Sequence, residues 1–311
     1  MPTRSTLRRS THALKVPLAV AILVVLSGCS LSPLARRTAL FATAATSTTS
    51  ESTNAYNLVE RAYRRAQIAR MMANYDENGF DTTRLQPFLS PKDLDARTDV
   101  LKALRSYAEL LAAVSGDQSL KAVDASAKSL GTSLQGLSAN TLLGAPMTSA
   151  EAGAVTTAFD ALSRVLVEGE RRRHLPAILH QMQQPIETIC TLLQQDIGDP
   201  ARSGLRNQLH ISYLDLLREQ KLYIAVNNGT LTPSEKRTEL LVLPALAASE
   251  LDGDRALAAT QKALAQLART HTALAASVGR KDAPAFNLQL SELAATAKQL
   301  NSFYASVQTA D

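Results

Sequence analysis

The chain has 311 residues, 45% of them hydrophobic, with no tryptophan and only 4% aromatic side chains, so a core of alanine and leucine is expected and a deep aromatic-lined ligand pocket is disfavoured. Its net charge of +5 is concentrated at the start: four of the 33 basic residues and none of the 28 acidic ones precede Cys29, leaving 29 against 28 beyond that point. A remainder of net +1 lacks the positive field of a nucleic-acid binder, and no nucleic-acid partner is expected.

Arg4, Arg8, Arg9 and Lys15 form a basic lead, Val16 to Leu26 an apolar run, and Ser27 and Gly28 precede Cys29. The apolar run is too short to cross a hydrocarbon core of ~30 Å, which needs about 20 residues, and reads as a signal peptide over 1–28. Leu26-Ser27-Gly28-Cys29 resembles the lipobox of bacterial lipoproteins. That resemblance covers residues 1–29 and implies cleavage before Cys29, a diacylglycerol on its thiol and an acyl chain on the new amino group. It implies attachment to a membrane of the cell envelope through lipid. Ser30, in place of the aspartate that favours inner-membrane retention, implies the outer membrane in a host that has two. With Cys29 lipidated, Cys190 has no intramolecular partner, so packing alone must hold the exported fold.

Residues 29–53, rich in Ser, Thr and Ala, are expected to be the lipidated cysteine and a flexible tether with a reach of ~25–30 Å. A short amphipathic piece lying on the membrane, with Leu34, Leu40 and Phe41 together with Arg36 and Arg37, is the alternative. From residue 54 onward apolar residues recur in steps of three and four. Such stripes are Val100-Leu104-Tyr107-Leu111-Val114, Val123-Ala127-Leu130-Leu134-Leu137 and Val155-Phe159-Leu162-Leu166. Further on come Leu175-Leu179-Met182-Ile186-Ile189-Leu193, Leu264-Leu267-His271-Leu274-Val278 and Phe286-Leu290-Leu293-Ala297-Leu300-Tyr304-Val307.

Helix starts are expected at Ser90-Pro91, Thr148-Ser149, Asp199-Pro200 and Thr232-Pro233. A hydroxyl cap with an acid three residues later, or a proline at the first helical position, suits a helix N-terminus. Breaks are expected at Asn78-Gly79, Gly116-Asp117, Gly144 to Pro146, Gly198, Asn228-Gly229, Gly253 and Gly279, and a kink at Pro185. The fold expected for 54–311 is all-α, an up-and-down antiparallel helical bundle of about seven or eight helices, compact or elongated, with a candidate subdivision at 144–148.

No pattern in the chain supplies a catalytic, cofactor or metal set. Asp76 to Asp81 is acidic, but counting from Asp76 glycine falls fourth and Pro87 twelfth, against the glycine sixth and glutamate twelfth of a calcium-binding EF-hand. His174 and His180, six apart, face different ways on a helix; His271 lies on an apolar seam and Cys190 beside one, as core side chains do. Glu168 to His174 and the set Arg61, Arg64, Arg65 and Arg70 are basic enough to grip phosphates or an acidic protein face, or simply to solvate a helix. The function expected is a lipid-anchored envelope protein whose helices form an interaction module, as adaptor, inhibitor or immunity-type protein, for an envelope protein partner. The alternatives are a carrier of lipid or another apolar ligand and, further off, an enzyme on wall or lipid using a carboxylate such as Glu109 or Glu187.

Overall fold

Three Ser/Thr-Pro pairs open helices. Ser32 accepts the Ala35 amide at 3.2 Å ahead of α1 (Pro33–Ala73), and Ser90 accepts that of Asp93 at 3.2 Å ahead of α2 (Pro91–Ser115). Thr232 and Glu235 cap each other's backbone ahead of α6 (Pro233–Ala276). Each pair places a ring that needs no N–H where the helix has no carbonyl to offer. Among the described residues the other helices are α3 (Arg171–Gln181), α4 (Gln183–Ile197), α5 (Leu205–Val226) and α7 (Pro284–Thr309), with one 3₁₀ turn at Thr82–Arg84. The computed structural model describes residues 32–75, 79–115 and 171–309, and over these the protein is an all-α helical bundle with no strand. The expected stripes at 123–137 and 155–166, the start at Thr148 and the subdivision at 144–148 lie outside the described residues.

The expected tether is not a tether where it is described. From residue 33 to 53 the chain is the first half of α1, and its buried residues run Ala35, Thr38, Ala42, Ala45, Thr49, Ser52, Tyr56 and Val59 in alternating steps of three and four. Small side chains let neighbouring helices approach closely. The hydroxyls cost little to bury because they bond to carbonyls of their own helix: Thr49 to Ala45 at 2.8 Å, Ser52 to Thr48 at 2.8 Å, and Thr38 to Ala35 at 3.0 Å. The membrane-lying alternative fails on the same ground, since Phe41 and Arg37 are both buried in the bundle. α1 touches α2, α5, α6 and α7.

The helices α5, α6 and α7 run antiparallel in turn. Arg206 meets Asp254 while Gln220 meets Glu239 between α5 and α6, and Thr260 meets Tyr304 while Gln266 meets Gln289 between α6 and α7. The stripes in α2, α4, α6 and α7 face the core as expected. Gly198 and Gly279, both at positive φ, end helical segments. The helix breaks at Met182, beside Pro185, whose ring cannot donate to the carbonyl four residues back. Two expected signals read differently. Asp199-Pro200 forms a turn closed by an Asp199 to Ser203 bridge, and α5 starts only at Leu205. Gly253 breaks nothing: it sits inside the 44-residue α6, where a Cβ would come within 2.9 Å of Leu209, so it is a site of close helix approach.

One buried ionic group ties three helices. Arg97 of α2 donates to both carboxylate oxygens of Asp196 at the end of α4, at 2.8 and 3.1 Å, and to the Asp93 carbonyl at 2.9 Å. Tyr56 of α1 donates its hydroxyl to Asp196 at 3.0 Å. Burial pushes the Asp196 carboxyl upward against the opposing pull of Arg97, and burial likewise raises Tyr56 well above its ordinary range. Breaking such a pair by removing one partner leaves a buried charge uncompensated.

Two outcomes follow. Ala45→Leu, neutral in a solvated tether, will overpack the α1 stripe and lower unfolding free energy by about 1–3 kcal/mol in urea titration. Arg97→Met will cost about 3–5 kcal/mol by the same measurement, and adding Asp196→Leu will recover most of that loss.

Candidate functional site

The side chains singled out in sequence separate into buried fixtures and surface groups. His271 is fully buried in α6, with Nε2 2.8 Å from the Tyr107 hydroxyl and ring contacts to Tyr107 at 5.5 Å and Phe41 at 5.7 Å. Its Nδ1 has no partner, and burial lowers its pKa to about 3. Cys190 is fully buried in α4, where burial raises its thiol to about 12, the opposite of what a nucleophile needs. His180 is exposed, and His210 lies beside Glu250 at 2.5 Å. Glu109 pairs with Arg105 at 2.7 Å on the outer side of α2, and Glu187 is exposed on α4.

The first arginine group is spread along the second half of α1. Arg64 and Arg65 are exposed, Arg61 is half-buried, and Arg70 reaches Asp215 of α5 at 3.0 Å. The acidic residues Asp76 to Asn78 and the side chains of the second basic group, at 168–174, lie outside the described residues. Among the described residues no group of three or more His, Cys, Asp or Glu is placed to hold a metal ion. Among them, too, no helix is long and apolar enough to cross a membrane.

The feature that stands out is an apolar surface on the hairpin of α5 and α6. On α5, Ile211, Leu214 and Leu222 are exposed at the spacing that puts them on one face with Arg218, opposite the buried Leu209, Tyr213 and Leu216. On α6, Leu240, Pro244, Ala247 and Leu251 recur at steps of four, three and four, and all are exposed. The polar pairs between the helices fix how these stripes lie. Arg206 with Asp254 (2.7 and 2.8 Å), His210 with Glu250, and Gln220 with Glu239 (2.7 Å) run along the seam. One helical step outward from that seam, on the side away from the core, lies the α5 stripe on one helix and the α6 stripe on the other. A cleft of about 310 Å³ opens at one end of the seam, lined by Pro200, Leu209, Ala247 and Leu251 together with Arg206, Asp254, His210 and Glu250.

A second concavity lies between α1 and α7. It has a volume of about 430 Å³ and is lined by Leu40, Ala44, Leu290, Ala294 and Ala297, with Lys298 and Asn301 at its polar edge.

Comparison with known proteins brings no relative to bear: no family model, no curated protein and no solved structure matches this chain.

His271 generates a pH dependence with a definite sign. Its folded-state pKa of about 3 lies below the 6.5 of an exposed imidazole. Folded stability is therefore undiminished above pH 6.5 and falls as pH drops from there toward 3, because the unfolded chain takes up the proton first. Between pH 7 and 5 this group alone removes about 2 kcal/mol, and His271→Gln will flatten that segment of a urea-stability profile.

Proposed function

We propose that the protein is a lipid-anchored cell-envelope protein, held through Cys29, whose α5–α6 hairpin docks an envelope protein partner. The observation that carries the docking part is the pair of exposed apolar stripes flanking one helical seam. Apolar residues scattered singly over a surface need no explanation, but rows at helical spacing on two adjacent helices make a contiguous patch of the kind that marks an interaction site. Polar groups border and punctuate the rows, with Arg206 and the carboxylates of Glu250 and Asp254 along the seam and Arg218 within the α5 row, as at interfaces where apolar anchors carry affinity and charges set register. The surface suits an amphipathic helix laid along the seam, with its own anchors at steps of three and four. Envelope location rests on the leader alone, through its likeness to a lipobox.

The concavity between α1 and α7 favours a second reading, a carrier. Its volume lies within the range of small-ligand sites, and its walls are mainly leucine and alanine with Thr43 and Ser47 among them and Lys298 and Asn301 at the edge, which suits a lipid chain with an anionic head. Lipid extracted in equal molar amount from the purified protein would put this reading first. The enzyme reading gains no support from Glu109 or Glu187, neither of which lines either concavity.

The docking reading is tested by a photo-crosslinking residue at Leu222 or Leu251, with Lys92 on α2 as the control position, in intact envelopes. One partner captured from the hairpin positions and not from the control is expected. Leu214→Asp with Leu251→Asp will reduce its capture at least tenfold and leave the melting temperature within about 2 °C, since surface substitutions away from packed groups change stability little. Equal capture from both faces, or capture unaffected by the aspartates, would sink the assignment.

A further inference from the structure

We infer that one end of the bundle, formed by the first turn of α1 and the α6–α7 turn, is a membrane-facing surface that rests on anionic phospholipid headgroups. The inference rests on the lipid-anchor reading above and adds to it an orientation.

Arg37 fixes this end. Its guanidinium, buried at 8% exposure, donates to the carbonyls of Ser277 at 2.9 Å, Arg280 at 3.0 Å and Lys281 at 2.6 Å, so the α6–α7 turn is clamped beside the start of α1. Around that clamp Arg36, Arg280 and Lys281 are exposed, and Asp282 is the one acid in the turn. Other acids are set back along the helices. The first on α1 is Glu51 and the first on α7 is Glu292, the last on α2 is Glu109, and on α6 none follows Asp254. On α4 the nearest is Glu187, one turn before Cys190. Among the described residues, a chain of net +1 beyond the leader thus gathers four cations against one anion at this end.

The chain then dictates what this end meets. Only Ser30 and Leu31 separate Cys29 from the capping Ser32, and three extended residues reach ~11 Å. A lipidated Cys29 therefore keeps the first turn of α1, and the turn clamped to it, within about a Debye length of the headgroups, where basic side chains are drawn to anionic lipid. The opposite end of α6 stands ~65 Å away at 1.5 Å per residue over its 44 residues. The stripe from Leu251 to Leu240 then lies roughly 40–55 Å from the membrane-facing end, which sets the height at which a partner must present itself.

The experiment uses the full chain, purified from bacterial membranes and reconstituted into vesicles of phosphatidylethanolamine and phosphatidylglycerol that carry a headgroup nitroxide. Bimane is attached at Ala276→Cys, near the clamped end, or at Gly229→Cys, in the α5–α6 turn. Quenching at 276 should exceed that at 229 at least threefold, and Arg36→Glu with Arg280→Glu and Lys281→Glu, which leave the lipid anchor in place, should lower it at least twofold. Equal quenching at both positions, or quenching at 276 that the three glutamates leave unchanged, would overturn the orientation. The intact mass of the same samples separates the two readings. A mass without diacylglycerol removes the anchor and the orientation with it, whereas a lipidated protein with equal quenching removes the orientation alone.

Discussion

The close approach of α1 to its neighbours is the constraint on which the rest of the bundle depends. Most of its core-facing positions between 35 and 52 are Ala, Thr and Ser, with Arg37 and Phe41 the large exceptions and Tyr56 and Val59 where the stripe continues. A helix with such a face gains less from each buried side chain than a leucine stripe would, about 0.8 kcal/mol for every CH₂ it lacks. It recovers contact by letting backbones come nearer, so that α2, α5, α6 and α7 can all pack on it. The same spacing leaves no room for a larger side chain. Most of the buried hydroxyls bond within the helix or to a facing residue, as Thr38 does with Ser115 of α2, whereas the Thr48 hydroxyl is buried without such a bond.

Tight packing on small residues specifies register poorly, since alanine and threonine faces slide past one another at little cost. The buried polar groups supply what the stripe lacks. Arg97 with Asp196 and Tyr56 fixes α2, α4 and α1 at one level, Tyr107 with His271 fixes α2 against α6, and Arg37 fixes α1 against the α6–α7 turn. A slip of one turn would leave a guanidinium, a carboxylate and an imidazole buried without partners, a penalty larger than any gain from shifted apolar contacts. His271 therefore marks a structural joint. Its neutral ring is tolerated in the core because the seam requires a polar contact at that place.

Much of this was legible in the chain. The leucine-rich stripes of α2, α4, α6 and α7 and the caps at Ser90 and Thr232 are independent signals that agree, and the structure places them as their spacing requires. The first half of α1 was not legible by the same means. Its three-four rhythm is carried by Ala, Ser and Thr, residues whose composition reads as a linker and whose burial depends on partners far away in sequence. The Ser32-Pro33 start has the form of the two that were read, but lacks the acid three residues on. Gly253 reads locally as a break because glycine weakens an isolated helix, while in the bundle Leu209 occupies the space its side chain would fill. The apolar hairpin face lies in a stretch where α5 and α6 carry apolar residues on more than one side, so periodicity alone does not separate the buried row from the exposed one. Only the pairing of Arg206 with Asp254 and Gln220 with Glu239 reveals that the two exposed rows share a surface.

The division of the molecule into a polar-clamped end and an apolar-faced end follows from the same helix geometry. α6 spans the bundle as one helix of 44 residues, and its two halves have different surroundings. Its second half, from Gly253 to Ala275, is buried at Ala256, Leu257, Thr260, Ala263, Leu264, Leu267, Thr270, His271 and Leu274, whereas in its first half only Leu246 is. A helix that long cannot be stabilised evenly when its N-terminal half has so little core to face, and local opening will begin there, where buried apolar contacts are fewest. In the proposed orientation the rigid half stands at the lipid surface and the looser half carries the docking rows above it. A partner helix laid along those rows would complete for the N-terminal half of α6 the burial that the rest of the bundle already gives to its C-terminal half.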